Sequence, residues 1–422
     1  MREVQSNNIP IVNTKKSRWR NFLLFLAILG PGIITANVDN DAGGIAVYSL
    51  AGAEMGYRLL WSLVPILVAL IVIQEMVARM GAVTGKGLAD LIRENYGVKA
   101  TFYIMLFLVV TNLGNTMAEF SGIAASSEIF GISRYISVPI SAFLVWLLVI
   151  KGTYKSVEKI FLVACFFYIA YIISGFIAKP PWKEVLINSI QPSFQINSTY
   201  LYMLIGLVGT SIAPWMQFYL QASIVEKGIT IKEYKHSRVD VIVGCFIMYV
   251  VAFFIIIACA ATIHRAGVKV ESVAEAARAL QPLAGKYASW LFAFGLLNAS
   301  IFAASILPLS TVYYVCEGMG WEKGIDKSFE EAPFFYILYT SFIVIGALIV
   351  LVPKFPLLTV MFLSQVLNGV LLPFILIYIL LLINNKHIMG EYINSKMYNI
   401  FSWIVVFVMI TFTIMMLVTT FV

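Results

Sequence analysis

The stretch Asp39-Asn40-Asp41-Ala42-Gly43-Gly44 interrupts an apolar run that begins near Asn21 and resumes after Ile45, setting two carboxylates and a glycine pair at membrane depth. An ionisable group at the centre of a membrane helix costs roughly 2.5 to 3.5 kcal/mol on insertion scales, so such groups face a wet cavity and mark an ion or substrate path. Gly43 and Gly44 make the backbone easy to unwind, and non-helical backbone survives at that depth only where protein buries it or water lines it. This break is the first candidate for a binding site.

The rest of the chain fits a bilayer. With 60% hydrophobic and 12% charged residues and a mean hydropathy of +0.89 over 422 residues, it is too apolar for a soluble domain and too long for a single anchor. About eleven runs are long enough to span, near 22–53, 58–80, 101–127, 134–151, 157–178, 199–225, 239–263, 288–316, 333–352, 356–384 and 400–421. Cys165, Cys245, Cys259 and Cys316 lie in or beside apolar runs without a CxxC pair, which predicts small buried residues rather than disulfides or a zinc site. The net charge of +7 is spread through short loops, so it reports orientation rather than nucleic-acid binding. Most Lys and Arg fall on the side of Arg2, Lys15, Lys16, Arg18 and Arg20, predicting a cytoplasmic tail over 1–20 and an outer C-terminus. Phe22 to Leu29 has the length of a signal-peptide core but runs directly into Gly30-Pro31-Gly32 with no cleavage site, so it reads as the first half of a broken helix.

A second interruption, Gly209-Thr210-Ser211-Ile212-Ala213-Pro214-Trp215, sits in the sixth span, where Pro214 removes an amide donor. Breaks at the first position of two successive five-span blocks, 21–178 and 199–384, point to an inverted-repeat transporter with its site at the midplane and an additional helix over 400–422.

Gly30-Pro31-Gly32 followed by Asp41-Ala42-Gly43-Gly44 resembles the first-helix pattern of the Nramp metal-transporter family. Gln74 to Gly87, Met117-Ala118-Glu119-Phe120, Gly209 to Val225, and Ser364 to Leu367 with Pro373-Phe374 resemble its second, third, sixth and tenth helices in order. The resemblance covers nearly the whole chain. It implies an all-α polytopic membrane protein with a LeuT-like 5+5 inverted repeat, broken helices 1 and 6, and alternating access.

In the family's transition-metal transporters an Asp and an Asn of the first motif and the Met of a Met-Pro-His hold the ion. Asp41 is kept, but Gly44 replaces the Asn, Ala213 the Met and Trp215 the His. A thioether favours transition metals, whereas Mg2+ takes oxygen ligands and keeps several waters. The pattern therefore resembles the Nramp-related magnesium transporter branch, implying Mg2+ uptake with Mn2+ also accepted. By carry-over Asp41 is the main ligand, Thr210 offers a backbone carbonyl from the unwound part of helix six, and Gln365 approaches from helix ten. Asp39 is either a second carboxylate or a helix cap, and Asn40, Gly43, Pro214 and Trp215 shape the break and pocket.

His236, His264 and His387 fall in predicted loops, leaving no imidazole as an intramembrane proton carrier. Glu119 is a proton site or a structural acid, and Thr116 stands where the family usually has an acid. A divalent ion gains about 2.3 kcal/mol per charge per 100 mV, so the expectation is uncoupled, voltage-driven uptake. The alternatives are a proton-coupled Mn2+/Fe2+ transporter of the Nramp type and an organic-solute transporter, which the two aspartates disfavour. No enzymatic motif is present in the sequence, and no enzyme activity or cofactor is expected. The expected partners are a divalent metal ion and the lipid bilayer, for a monomer in the plasma membrane. Glu75 and Arg79 are predicted to pair, Asn112, Asn115, Asn298 and Asn368 to bond between helices, and Trp61, Tyr103 and Trp182 to anchor at the interface.

Overall fold

The computed structural model describes residues 34–35, 38–151, 169–271, 275–276, 286–325 and 327–421. Among them the chain is helical: α1 (Ala42–Met55), α2 (Leu60–Thr84), α3 (Leu88–Ile129), α4 (Arg134–Lys151), α5 (Ile169–Ile177), α6 (Trp182–Ile190), α7 (Ser198–Ser211), α8 (Pro214–Glu226), α9 (Tyr234–Cys259), α10 (Lys286–Met319), α11 (Pro333–Val350), α12 (Leu357–Ile383), α13 (Lys386–Met389) and α14 (Lys396–Phe421). A π-turn over Ala260–His264 ends α9. Nine spans among the described residues, α7 and α8 counting as one, are long and apolar enough to cross a membrane. Of the eleven expected, the N-terminal half of the first and the start of the fifth lie outside the described residues, as do the tail over 1–20 and Cys165.

Burial sorts the helices. α1 is buried along its whole length except Glu54, and α7 and α8 are nearly as enclosed, although these segments carry the chain's backbone breaks. The outer helices do the opposite: α4 and α14 expose Phe143, Leu144, Ile404 and Phe407, as lipid-facing surfaces require. Around the broken segments α3 packs on α10 and α12, α12 on α7, and α9 on α1 and α2. α3 joins an interfacial turn to a span through a kink at Gly97 (φ 82°), where the sequence reading has only a loop.

The buried asparagines bridge helices as predicted: Asn115 meets Asn368 of α12, and Asn112 meets Thr311 of α10. Arg79 pairs with Glu75 at 3.3 Å and also reaches Asn394 at 2.5 Å. His236 lies in the first turn of α9, His264 in the π-turn and His387 in α13, so the three are in helical turns rather than loops. Tyr103 and Trp182 are exposed, whereas Trp61 is half-buried and donates to the Ser193 carbonyl at 3.2 Å.

Candidate functional site

Asp41 opens α1 as its N-cap with an extended backbone (φ −69°, ψ −176°), and its Oδ1 accepts the Gly44 amide at 2.5 Å. A short carboxylate at the N-cap reaches the third amide of the helix, and Asp41 stands three residues before Gly44. The capping alternative offered for Asp39 therefore belongs to Asp41. The second Asp41 oxygen accepts the Gln365 carboxamide nitrogen at 3.4 Å, so Gln365 approaches from α12 as expected, through its NH2 group.

Asp39 is buried, and its Oδ2 has no hydrogen-bond partner. Its carbonyl accepts the Thr210 hydroxyl at 3.4 Å. Asn40 turns away from these groups and donates to the Met248 carbonyl in α9 at 3.3 Å.

The glycine pair is a matter of space. A Cβ on Gly43 would run into the Gln365 carboxamide. A Cβ on Gly44 would stand 2.9 Å from Thr210 Oγ1 and 3.2 Å from Asp41 Oδ1, with the Asp39 carbonyl nearer still. Three oxygens from both broken segments thus converge on one point that only a glycine leaves open.

The second break is narrower than expected. α7 continues through Ser211, and the unwound residues are Ile212 (φ −129°, ψ 56°) and Ala213 (φ −63°, ψ 137°). Thr210 sits in the last helical turn, which corrects its placement in an unwound stretch. Its carbonyl still lacks the usual helical donor, because the residue four positions on is Pro214, which has no N–H. Ala213 offers a methyl side chain, and its carbonyl accepts from Met216 N at 3.2 Å and Gln217 Nε2 at 3.4 Å. Trp215 is buried with its ring centroid 6.4 Å from that of Tyr219.

Glu119 of α3 completes the cluster. Its Oε2 accepts the Ala42 amide at 3.1 Å, while Oε1 is buried without a partner. Among the described residues no Lys or Arg pairs with Asp39, Asp41 or Glu119. Three acids with no fixed counter-ion are therefore enclosed at the meeting point of α1, α3, α7 and α12, and all three are at most 2% exposed.

Among the described residues no group of three His, Cys, Asp or Glu side chains forms a metal cage. The groups that converge are instead the Asp41 carboxylate, the Asp39 carbonyl, the Thr210 hydroxyl and the Gln365 carboxamide, a set suited to an ion that takes oxygen ligands. The sequence reading missed the Thr210 hydroxyl and the Asp39 carbonyl. Gln74 of α2 donates to Met216 Sδ at 3.7 Å and accepts from Cys245 Sγ at 3.5 Å.

Over residues 32–419 the chain matches the family described as natural resistance-associated macrophage protein-like, Nramp. It is 27% identical over 434 residues to the divalent metal cation transporter MntH of Clostridium acetobutylicum, with 97% of this chain and 95% of that protein covered. The MntH of Erwinia tasmaniensis is 28% identical over 393 residues, with 91% and 92% covered. Among solved structures, a manganese transporter of Eremococcus coleocola superposes with a TM-score of 0.79 at 19% identity, covering 98% of this chain and 89% of that one, a likeness of fold.

Proposed function

This chain belongs to the Nramp family, whose members are transporters and not enzymes, and from that premise we propose that it moves divalent metal cations by alternating access, with Mn2+ as cargo and proton transfer coupled to it. The observation that carries the reading is the oxygen cradle at Gly44 beside three acids without a fixed cation. Buried anions need compensation, and a divalent cation or protons supply it in turn. On this reading Asp41 is the principal ligand, the Thr210 oxygens, the Asp39 carbonyl and Gln365 complete the shell, and Glu119 takes up the proton. A divalent metal is supported by the relatives' names and Mn2+ by that of the solved neighbour, and Mn2+ accepts carboxylate, carbonyl and water ligands.

One observation favours a second cargo. Ala213 brings no sulfur to the cradle, and a set of oxygens with few carboxylates also suits partly hydrated Mg2+. We further read 21–178 and 199–384 as the two five-helix repeats and the protein as a monomer of the plasma membrane; the distribution of basic residues supports an N-terminus inside.

The test is flux into proteoliposomes held at an inside-negative potential, following Mn2+ and Mg2+ with an internal pH dye. Mn2+ influx that changes internal pH is the expected result. Influx of both ions at constant pH replaces it with the uncoupled, hard-ion reading, and influx of neither overturns both.

A further inference from the structure

Four buried carboxamides form an unbroken chain that leads away from Asp41. Gln365 gives its NH2 to Asp41 and accepts Asn368 Nδ2 on Oε1 at 2.9 Å. Asn368 and Asn115 bond reciprocally at 3.1 and 3.2 Å, and Asn115 Nδ2 also donates to Asn112 Oδ1 at 3.0 Å. Asn112 Nδ2 ends the chain on Thr311 Oγ1 at 2.8 Å, Ser310 Oγ at 3.2 Å and the Leu307 carbonyl at 3.4 Å. None of these amide atoms lacks a partner.

In the direction shown an NH2 group faces a carboxylate. A cation there repels that NH2 and draws a carbonyl oxygen, so Gln365 must turn its amide over. Its NH2 then faces Asn368, which must offer Oδ1, and the same requirement passes to Asn115 and Asn112. Each amide has a donor end and an acceptor end, so the reversed chain keeps its amide–amide bonds, provided its far terminus can donate as well as accept and gives up its bonds to the Leu307 carbonyl. Thr311 and Ser310 can, since a hydroxyl does both and each now donates to the Leu307 carbonyl, at 2.9 and 2.8 Å.

We propose that this ladder is a two-state element in which Asn368, Asn115 and Asn112 are positioning residues that turn the Gln365 carbonyl toward the bound ion, with the hydroxyls of Thr311 and Ser310 permitting the reversal. It rests on the divalent-metal reading of the cradle and adds to it a requirement at side chains remote from the ion.

The decisive variants are Ser310→Ala, Thr311→Val and the pair, compared in Mn2+ flux. Either single change leaves one hydroxyl, so KM stays within about twofold. The pair leaves reversed Asn112 without a donor and raises KM about fivefold, with kcat little changed, and Thr311→Ser in the Ser310→Ala background restores it. A merely structural role predicts additive effects and no such rescue. Should the pair not fold, Asn112→Asp fixes an acceptor toward Asn115 and must raise KM, opposite to the effect of its added negative charge. Wild-type flux with an unchanged KM in the pair overturns the ladder and leaves the metal reading standing, whereas absence of wild-type metal flux overturns both.

Discussion

Two clusters of acid border α3, one at its start and one at Glu119, and differ in their compensation. At the end of α10, Glu317 is 2% exposed, yet Lys323 stands 2.8 Å from it and also meets Asp90 at 3.1 Å. Its carboxyl fills the space that a Cβ on Gly87 would take at the start of α3. At the break, Asp39, Asp41 and Glu119 are as deeply buried, and no Lys or Arg among the described residues pairs with them. A buried charge left without a partner is costly, so the first cluster carries its compensation in the chain and the second requires one that arrives from outside. A buried acid by itself says little about function; the absence of a fixed partner is the informative part.

Several substitutions sharpen or break that contrast. The largest effect is expected for Asp41→Asn, which removes the charge and one donor oxygen and should lower Mn2+ flux about a hundredfold or more while the protein still folds, by flux assay and thermal melt. Retained flux would leave the uncompensated acids without a role. Glu119→Gln should cost about tenfold in flux and abolish the internal pH signal; a persisting signal assigns the proton elsewhere. Glu317→Gln should leave KM for Mn2+ within about twofold and lower stability by about 2 kcal/mol in denaturation, since it breaks a pair whose lysine is partly exposed. The smallest effect concerns pH at this second cluster. Burial lowers the Lys323 ammonium pKa, but Glu317 and Asp90 outweigh it and the net shift is upward. The stability that the Lys323 shift contributes is thus fully present below the ordinary 10.5 and is lost as pH rises through the higher folded value. Melts between about pH 8 and 10 should show no loss traceable to Lys323.

The breaks were legible because their chemistry is local: acids and glycines at 39–44 and a proline at 214 cannot continue a membrane helix without consequence. The capping role of Asp41 was also within reach, since it stands at N-cap spacing from Gly44, but Asp39 two residues earlier competed for it. The Thr210 hydroxyl was not legible, because a helical threonine ordinarily bonds back to its own preceding turn, and only the close approach of α1 to α7 redirects it to Asp39. The amide ladder lay between these cases. Asn112 and Asn115, like Gln365 and Asn368, are three apart and so share a helix face, whereas the pairing of α3 with α12 that joins them is tertiary.

The measurement that tests the central claim most directly is Mn2+ titration of the purified protein followed by electron paramagnetic resonance, in wild type, Asp41→Asn and Glu317→Gln. The account predicts one tightly held Mn2+ in wild type and in Glu317→Gln, and none in Asp41→Asn. Equal binding in Asp41→Asn, or loss of binding in Glu317→Gln alone, would contradict it.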